Sequence, residues 1–120
     1  MYARVGGADW FVDLVERFYA TVADDPVLRP MYPEDLDASK EHLTLFLMQY
    51  WGGPTTYSEE RGHPRLRMRH VPFVIAQPER DAWMRAMAGA VVAGGLDPDD
   101  EAAFLAYFDM AATAMVNHAP

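Results

Sequence analysis

The sequence predicts an all-α chain. Three observations carry that reading. Apolar residues recur at three- and four-residue spacing through most of it, and no segment alternates with period two over a useful length. Three Gly-Gly pairs, Gly6-Gly7, Gly52-Gly53 and Gly94-Gly95, lie beside the periodic segments, where turns belong. A chain of 120 residues is expected to be one domain over 1–120, long enough to bury roughly two thirds of its unfolded surface.

The first helix is predicted from about Ala8 to Ala23, with Phe11, Leu14, Val15, Phe18, Tyr19 and Val22 on one apolar face. Asp25-Pro26 has the form of an N-cap followed by proline at the first helical position, so a short helical turn should follow, stopped by Pro30 and Pro33. The next helix should run from about Ala38 to Trp51. Its inner face is Leu43, Phe46, Leu47 and Tyr50, and Gly52 ends it. Gly53 to Gly62 is polar and turn-rich and reads as an extended loop. Pro64 is placed to open a short helix through His70, and Pro72 to close it. Pro78 begins a long helix ending near Gly94, with Trp83, Met87, Ala90 and Val91 inward. Asp97-Pro98 begins the last, with Asp100 in capping-box position and a stripe of Phe104, Leu105, Phe108, Ala112 and Met115. The result is about four long helices joined by short turns.

Composition narrows the chemistry. The hydrophobic fraction of 51% excludes disorder. Eight methionines suit a core that must fit an irregular body. The absence of cysteine removes disulfides, thiolate catalysis, cysteine-ligated zinc, iron–sulfur clusters and covalent haem attachment. A net charge of −8 argues against a nucleic-acid partner. With no apolar leader and no long apolar run, the expectation is a cytoplasmic protein with no membrane partner, either a monomer or a homo-oligomer.

Within this acidic chain, four of ten basic residues and two of four histidines fall between Arg61 and His70. The plainer reading of Arg65, Arg67 and Arg69 is a solvated helix face, as charge runs usually are. The sharper one is an anionic, metal-bearing cofactor, haem, with His70 on the iron and arginines facing its carboxylates. Leu66, one turn before His70, shares its face, and Phe73 can line the ring edge. Arg69, Tyr57 and His63 can add donors, although His63 also reads as a loop or capping residue. A zinc pair of His63 and His70 is disfavoured, since structural zinc takes four ligands and cysteine is lacking. His42 and His118 read as exposed or structural. Three aromatic donors, Tyr19, Tyr32 and Trp83, fall at inward positions; they are either core residues bonded to backbone carbonyls or donors to a polarised ligand at the sixth iron position. Leu43, Phe46, Met87 and Phe108 read as core and, with haem, as pocket wall.

The chain resembles the truncated haemoglobins, and among them the second group. The resemblance rests on Val5-Gly6-Gly7-Ala8, Arg17-Phe18-Tyr19-Ala20, Met31-Tyr32-Pro33-Glu34-Asp35, Gln49-Tyr50-Trp51-Gly52-Gly53-Pro54, Thr56-Tyr57-Ser58-Glu59, the run Arg61 to His70, and Glu79-Arg80-Asp81-Ala82-Trp83. It implies a truncated globin, a two-on-two helical sandwich around haem b, with the first globin helix almost lost. It implies His70 as proximal ligand, Tyr19, Tyr32 and Trp83 as a distal polar cluster, Leu43 as an apolar distal residue and Ser39 as a small residue at the haem edge. The ligands it implies are dioxygen, carbon monoxide and nitric oxide, with binding, sensing or scavenging as the leading function. The alternatives are nitric oxide dioxygenation or peroxidase-like oxidation fed by an external reductase and, more remotely, a haem-free helical interaction module.

Overall fold

The computed structural model describes residues 1–70 and 73–118, the side chains of Arg67 and Arg69 excepted. Among the described residues, seven α-helices and one 3-10 turn follow one another: α1 (Tyr2–Val5), α2 (Ala8–Asp24), the 3-10 turn (Arg29–Met31), α3 (Asp37–Tyr50), α4 (Thr56–Arg61), α5 (Leu66–His70), α6 (Gln77–Val92) and α7 (Pro98–Met115). The four long helices form two pairs, α2 with α3 and α6 with α7, and α2 packs across α6 to join them. This is the two-on-two architecture.

Helix α2 is the keystone. Its expected face, Phe11, Leu14, Val15, Phe18, Tyr19 and Val22, is buried in full. Burial of each such side chain contributes about 1.5–3 kcal/mol relative to exposure. The face meets Leu47 and Met48 of α3, Ala82, Ala86, Met87, Ala90 and Val91 of α6, and Phe104 and Phe108 of α7. Two side chains of α2 also bond to the end of α6 and the turn after it: Arg17 Nε donates to the Ala90 carbonyl at 3.1 Å and Trp10 Nε1 to the Gly94 carbonyl at 3.0 Å.

Several expectations are corrected. Asp25 Oδ1 does accept the Val27 and Leu28 N–H groups, at 2.8 and 3.1 Å. However, the helical piece that follows is 3-10, and Pro30 lies inside it rather than stopping it, because proline near a helix start forfeits no intrahelical donor. In α3, Tyr50 is 51% exposed and Met48 takes an inward place instead. The stretch expected as a loop after Gly53 contains α4. It is held to α3 by Gln49, which donates to Ser58 Oγ at 2.6 Å and accepts from the Ser58 N–H at 2.9 Å. Asp100 does not cap α7; Arg4 of α1 takes its carboxylate at 3.1 and 2.6 Å. Helix α5 starts at Leu66, two residues past Pro64, and Pro72 lies outside the described residues.

The glycine pairs serve two purposes. Gly52 has φ of 94°, a conformation other residues rarely adopt. Gly53 is there for space: a Cβ would stand 2.6 Å from Tyr2 Cδ1 and 2.8 Å from the Met48 carbonyl oxygen. Among the described residues, no helix is long and apolar enough to cross a membrane.

Candidate functional site

Between the two helix pairs lies a cavity of about 540 Å³. Its walls come from α2 and the 3-10 turn (Tyr19, Leu28, Met31, Tyr32), from α3 (Ser39, His42, Leu43, Phe46, Leu47), from α5 and the segment after it (Leu66, His70, Phe73, Ile75), and from α6 and α7 (Trp83, Tyr107, Phe108, Ala112, Met115). The lining is mainly apolar, with a few convergent polar groups, the usual make-up of a cofactor site.

His70 ends α5. Its Nδ1 lies 2.6 Å from the carbonyl oxygen of Leu66. A carbonyl only accepts, so Nδ1 carries a proton, and in the neutral ring the lone pair is on Nε2. Neutral imidazole in this tautomer, oriented by a backbone carbonyl, is the form that ligates a metal. The short helix is held from behind by Asn117. Its Nδ2 donates to the carbonyls of His70 and Phe73 at 3.2 and 2.9 Å, and its Oδ1 accepts the Ile75 N–H at 2.9 Å.

The polar cluster occupies another part of the wall. Tyr19 and Tyr32 meet edge to face with ring centroids 5.5 Å apart. Burial raises the hydroxyl pKa of Tyr19, Tyr32 adds to the rise, and a hydrogen bond with Ser39 opposes it. Tyr32 is pushed up to about 12 by burial, offset in part by its hydrogen bond with Trp83. Tryptophan only donates, so the indole N–H points at the Tyr32 oxygen. Both tyrosines therefore keep their protons, and the cluster is a group of donors.

At the rim, Arg61 Nη1 donates to His42 Nε2 at 3.0 Å. Arg80 also reaches the wall but is committed to Asp109 and Asp81.

The cavity gathers most of the residues singled out from the sequence: His70, Leu66, Tyr57, Phe46, Leu43, Phe73, Trp83, Tyr19, Tyr32 and Ser39. His63 and Met87 are not in its wall. His63 Nδ1 instead accepts the Arg65 N–H at 3.1 Å, a capping bond, and Met87 is core with no exposure. Arg65 is exposed at positive φ, and the side chain of Arg69 lies outside the described residues. Sequence reasoning missed His42, Arg61 and Asn117, whose roles depend on neighbours 19 and 42–47 residues away. Arg61 was visible as one of the clustered arginines; Asn117 carried no local signal.

Among the described residues, no group of three or more His, Asp or Glu side chains could hold a metal ion. A metal on His70 must therefore bring its other donors with it. An apolar cavity with one oriented imidazole, and with a guanidinium at the rim for a carboxylate, fits an iron porphyrin bearing propionates.

Comparison with known proteins agrees. The model of the bacterial-like globins matches residues 1–117. A Group 2 truncated hemoglobin of Bacillus subtilis (strain 168) is 40% identical over 111 residues, 92% of this chain and 84% of that protein. The X-ray structure of a thermostable hemoglobin from the actinobacterium Thermobifida fusca superposes with a TM-score of 0.95 at 56% identity, covering 97% of this chain and 95% of that one. That of a truncated oxygen-avid haemoglobin from Bacillus subtilis does so with a TM-score of 0.91 at 39% identity, covering 97% and 98%. The chain belongs to the bacterial-like globin family, in its group 2 of truncated hemoglobins. Membership implies a haem cofactor and a gaseous ligand.

Proposed function

We propose that the chain holds haem b in this cavity through His70 and reversibly binds dioxygen there, with carbon monoxide and nitric oxide as competing diatomics. The observation that carries the reading is that one cavity is lined both by an imidazole oriented through its Nδ1 by a backbone carbonyl and by a cluster of three aromatic hydrogen-bonding side chains. Haem, when bound, supplies a ferrous centre able to take a diatomic ligand.

The residues account for the rest. His70 is a neutral donor oriented by the Leu66 carbonyl. Phe46, Leu43, Leu66 and Phe73 offer apolar contact to a flat macrocycle and exclude water, and that contact, rather than charge, contributes most of the affinity. Arg61, exposed at the rim, orients a propionate at about 0–1 kcal/mol. Tyr19 and Tyr32 present hydroxyl hydrogens to a polarised ligand, Trp83 holds the Tyr32 oxygen with its single N–H, and Ser39 keeps the Tyr19 hydroxyl in place. Similarity to the oxygen-avid haemoglobin of Bacillus subtilis supports slow release here too. Binding, sensing or scavenging follows from this arrangement; nitric oxide dioxygenation would draw electrons from a separate reductase.

The test is a haemin titration of the purified protein and of His70→Ala, read by absorption and melting temperature. The expected result is a Soret band and a raised melting temperature for the wild type, with the five-coordinate ferrous spectrum lost in the variant. An unaltered ferrous spectrum in His70→Ala would end the proximal assignment.

A further inference from the structure

The cavity takes up only part of the basic run. Arg61 reaches its rim, but Arg65 does not line it. From Arg61 to Pro78 the chain holds four arginines and no acidic residue, whereas the remaining residues hold six basic side chains against eighteen acidic ones. Exposed Glu59 and Glu60 precede the run on α4, and Glu59 is bonded to Thr55. The ion pairs among the described residues engage Arg4, Lys40 and Arg80; Arg61 and Arg65 are in none, and both are exposed. Arg65 is also, among the described residues, the one non-glycine at positive φ, at 48°. A side chain there strains the backbone where glycine would not. Strain, exposure and an unused charge thus coincide in one side chain.

The same segment exposes apolar surface. Met68, Phe73 and Val74 are 65%, 40% and 62% exposed within seven residues of chain. Phe73 is at once exposed and in the cavity wall, so this surface adjoins the place of the haem. Apolar side chains amid unpaired cations mark a protein-docking face more than a solvated one.

We infer that Arg61, Arg65, Met68, Phe73 and Val74 form a docking face for an acidic one-electron carrier protein, with a reduced iron–sulfur or flavin centre, which reduces ferric haem beside Phe73. The inference rests on haem occupying the cavity. The step moves one electron and no atom: Fe(III) + D(red) → Fe(II) + D(ox), with no bond formed or broken and no proton transferred. Charge selects the partner. Exposed acids elsewhere, such as Asp9, Asp13 and Glu16 of α2, turn an acidic protein away, and the arginine-bearing segment draws it in. A lipid surface would also meet cations and apolar side chains, but contact with the cavity wall serves an electron donor and gives a lipid nothing.

The experiment uses haemin-loaded ferric protein under carbon monoxide and a photoreduced plant-type two-iron ferredoxin, an acidic carrier, with reduction read at the Soret band by stopped flow. Wild type, Arg65→Glu, Arg65→Gly, Met68→Ser and Arg85→Glu are compared; Arg85 is exposed on α6. At low salt, Arg65→Glu should slow the second-order rate roughly tenfold, and raising salt from about 20 to about 500 mM should slow the wild type by a similar factor. Met68→Ser should slow it at both salt levels. Arg85→Glu changes the net charge equally and should keep the rate within about twofold. Arg65→Gly relieves the backbone, so its melting temperature should hold or rise while its rate falls; a structural role alone would leave the rate in place. Reduction by dithionite, which needs no docking, should hold in every variant. Equal slowing in Arg65→Glu and Arg85→Glu, a rate indifferent to salt, or an unchanged ferredoxin rate in Arg65→Glu beside loss of its co-sedimentation with phosphatidylserine vesicles would overturn the docking face and leave haem binding standing. Failure of haemin uptake would overturn both.

Discussion

The Leu66 carbonyl oxygen and His70 Nδ1 stand 2.6 Å apart within a helix of five residues. One short contact thus sets the tautomer, and one turn of helix sets the direction of the imidazole. So short an element is not stable by itself; α5 is kept in place by its packing on α7 and by the Asn117 side chain at its end. Asn117→Ala should therefore loosen the loaded protein without changing its iron ligand. A lost hydrogen bond is worth about 1 kcal/mol, so haem transfer to apomyoglobin should accelerate roughly fivefold. Hydrogen exchange should rise over 66–75, and the ferrous absorption maxima should hold.

Trp83 donates toward the Tyr32 hydroxyl and borders the cavity. Trp83→Phe keeps an aromatic ring and removes the N–H. Freed from that bond, the Tyr32 hydroxyl is held less firmly toward the cavity, and dioxygen release should quicken roughly tenfold, the equivalent of about 1.4 kcal/mol for one hydrogen bond. Stopped-flow displacement by carbon monoxide reads the rate, and an unchanged rate would remove Trp83 from the donor cluster.

Gly53 leaves no room for a side chain between Tyr2 and the Met48 carbonyl. Gly53→Ala should lower stability by about 1–3 kcal/mol, as overpacking does. A thermal melt should show a drop of several degrees, with the chain displaced where the Tyr2 N–H meets the Trp51 carbonyl at 2.9 Å.

Alkaline pH should destabilise the fold. Tyr19 is raised by burial, and Tyr32 and Tyr107 are pushed up to about 12. The unfolded chain releases these protons near the ordinary value of 10.0, while the folded chain retains them. Stability is therefore full below the unfolded value and falls as pH rises from there toward the folded ones, by up to about 1.4 kcal/mol per pH unit for each group. Urea midpoints at several pH values between 9 and 12 test this; Tyr32→Phe should reduce the slope.

Much of this could be read from residue order. The six-residue face of α2 and the bounds of α3, α6 and α7 follow from helical period and from capping residues, which act over one or two turns. The residues round the cavity were legible for a different reason: donors, an imidazole and arginines are chemically conspicuous in an acidic chain. Helix α4 was not legible. Its one buried residue is Tyr57, and Gln49 supports it from another helix. Nor was Asp100, whose partner Arg4 lies 96 residues away.

By itself, then, the order of residues determined which segments coil and which face each one buries, because period and capping are local properties. Tertiary packing alone decided that Met48 turns inward while Tyr50 turns out onto Tyr107, that Arg61 meets His42 at the rim, and that Asn117 holds the end of α5. Those pairings bring together groups far apart in the chain, and the free energy that selects them exists only once the helices have closed on one another.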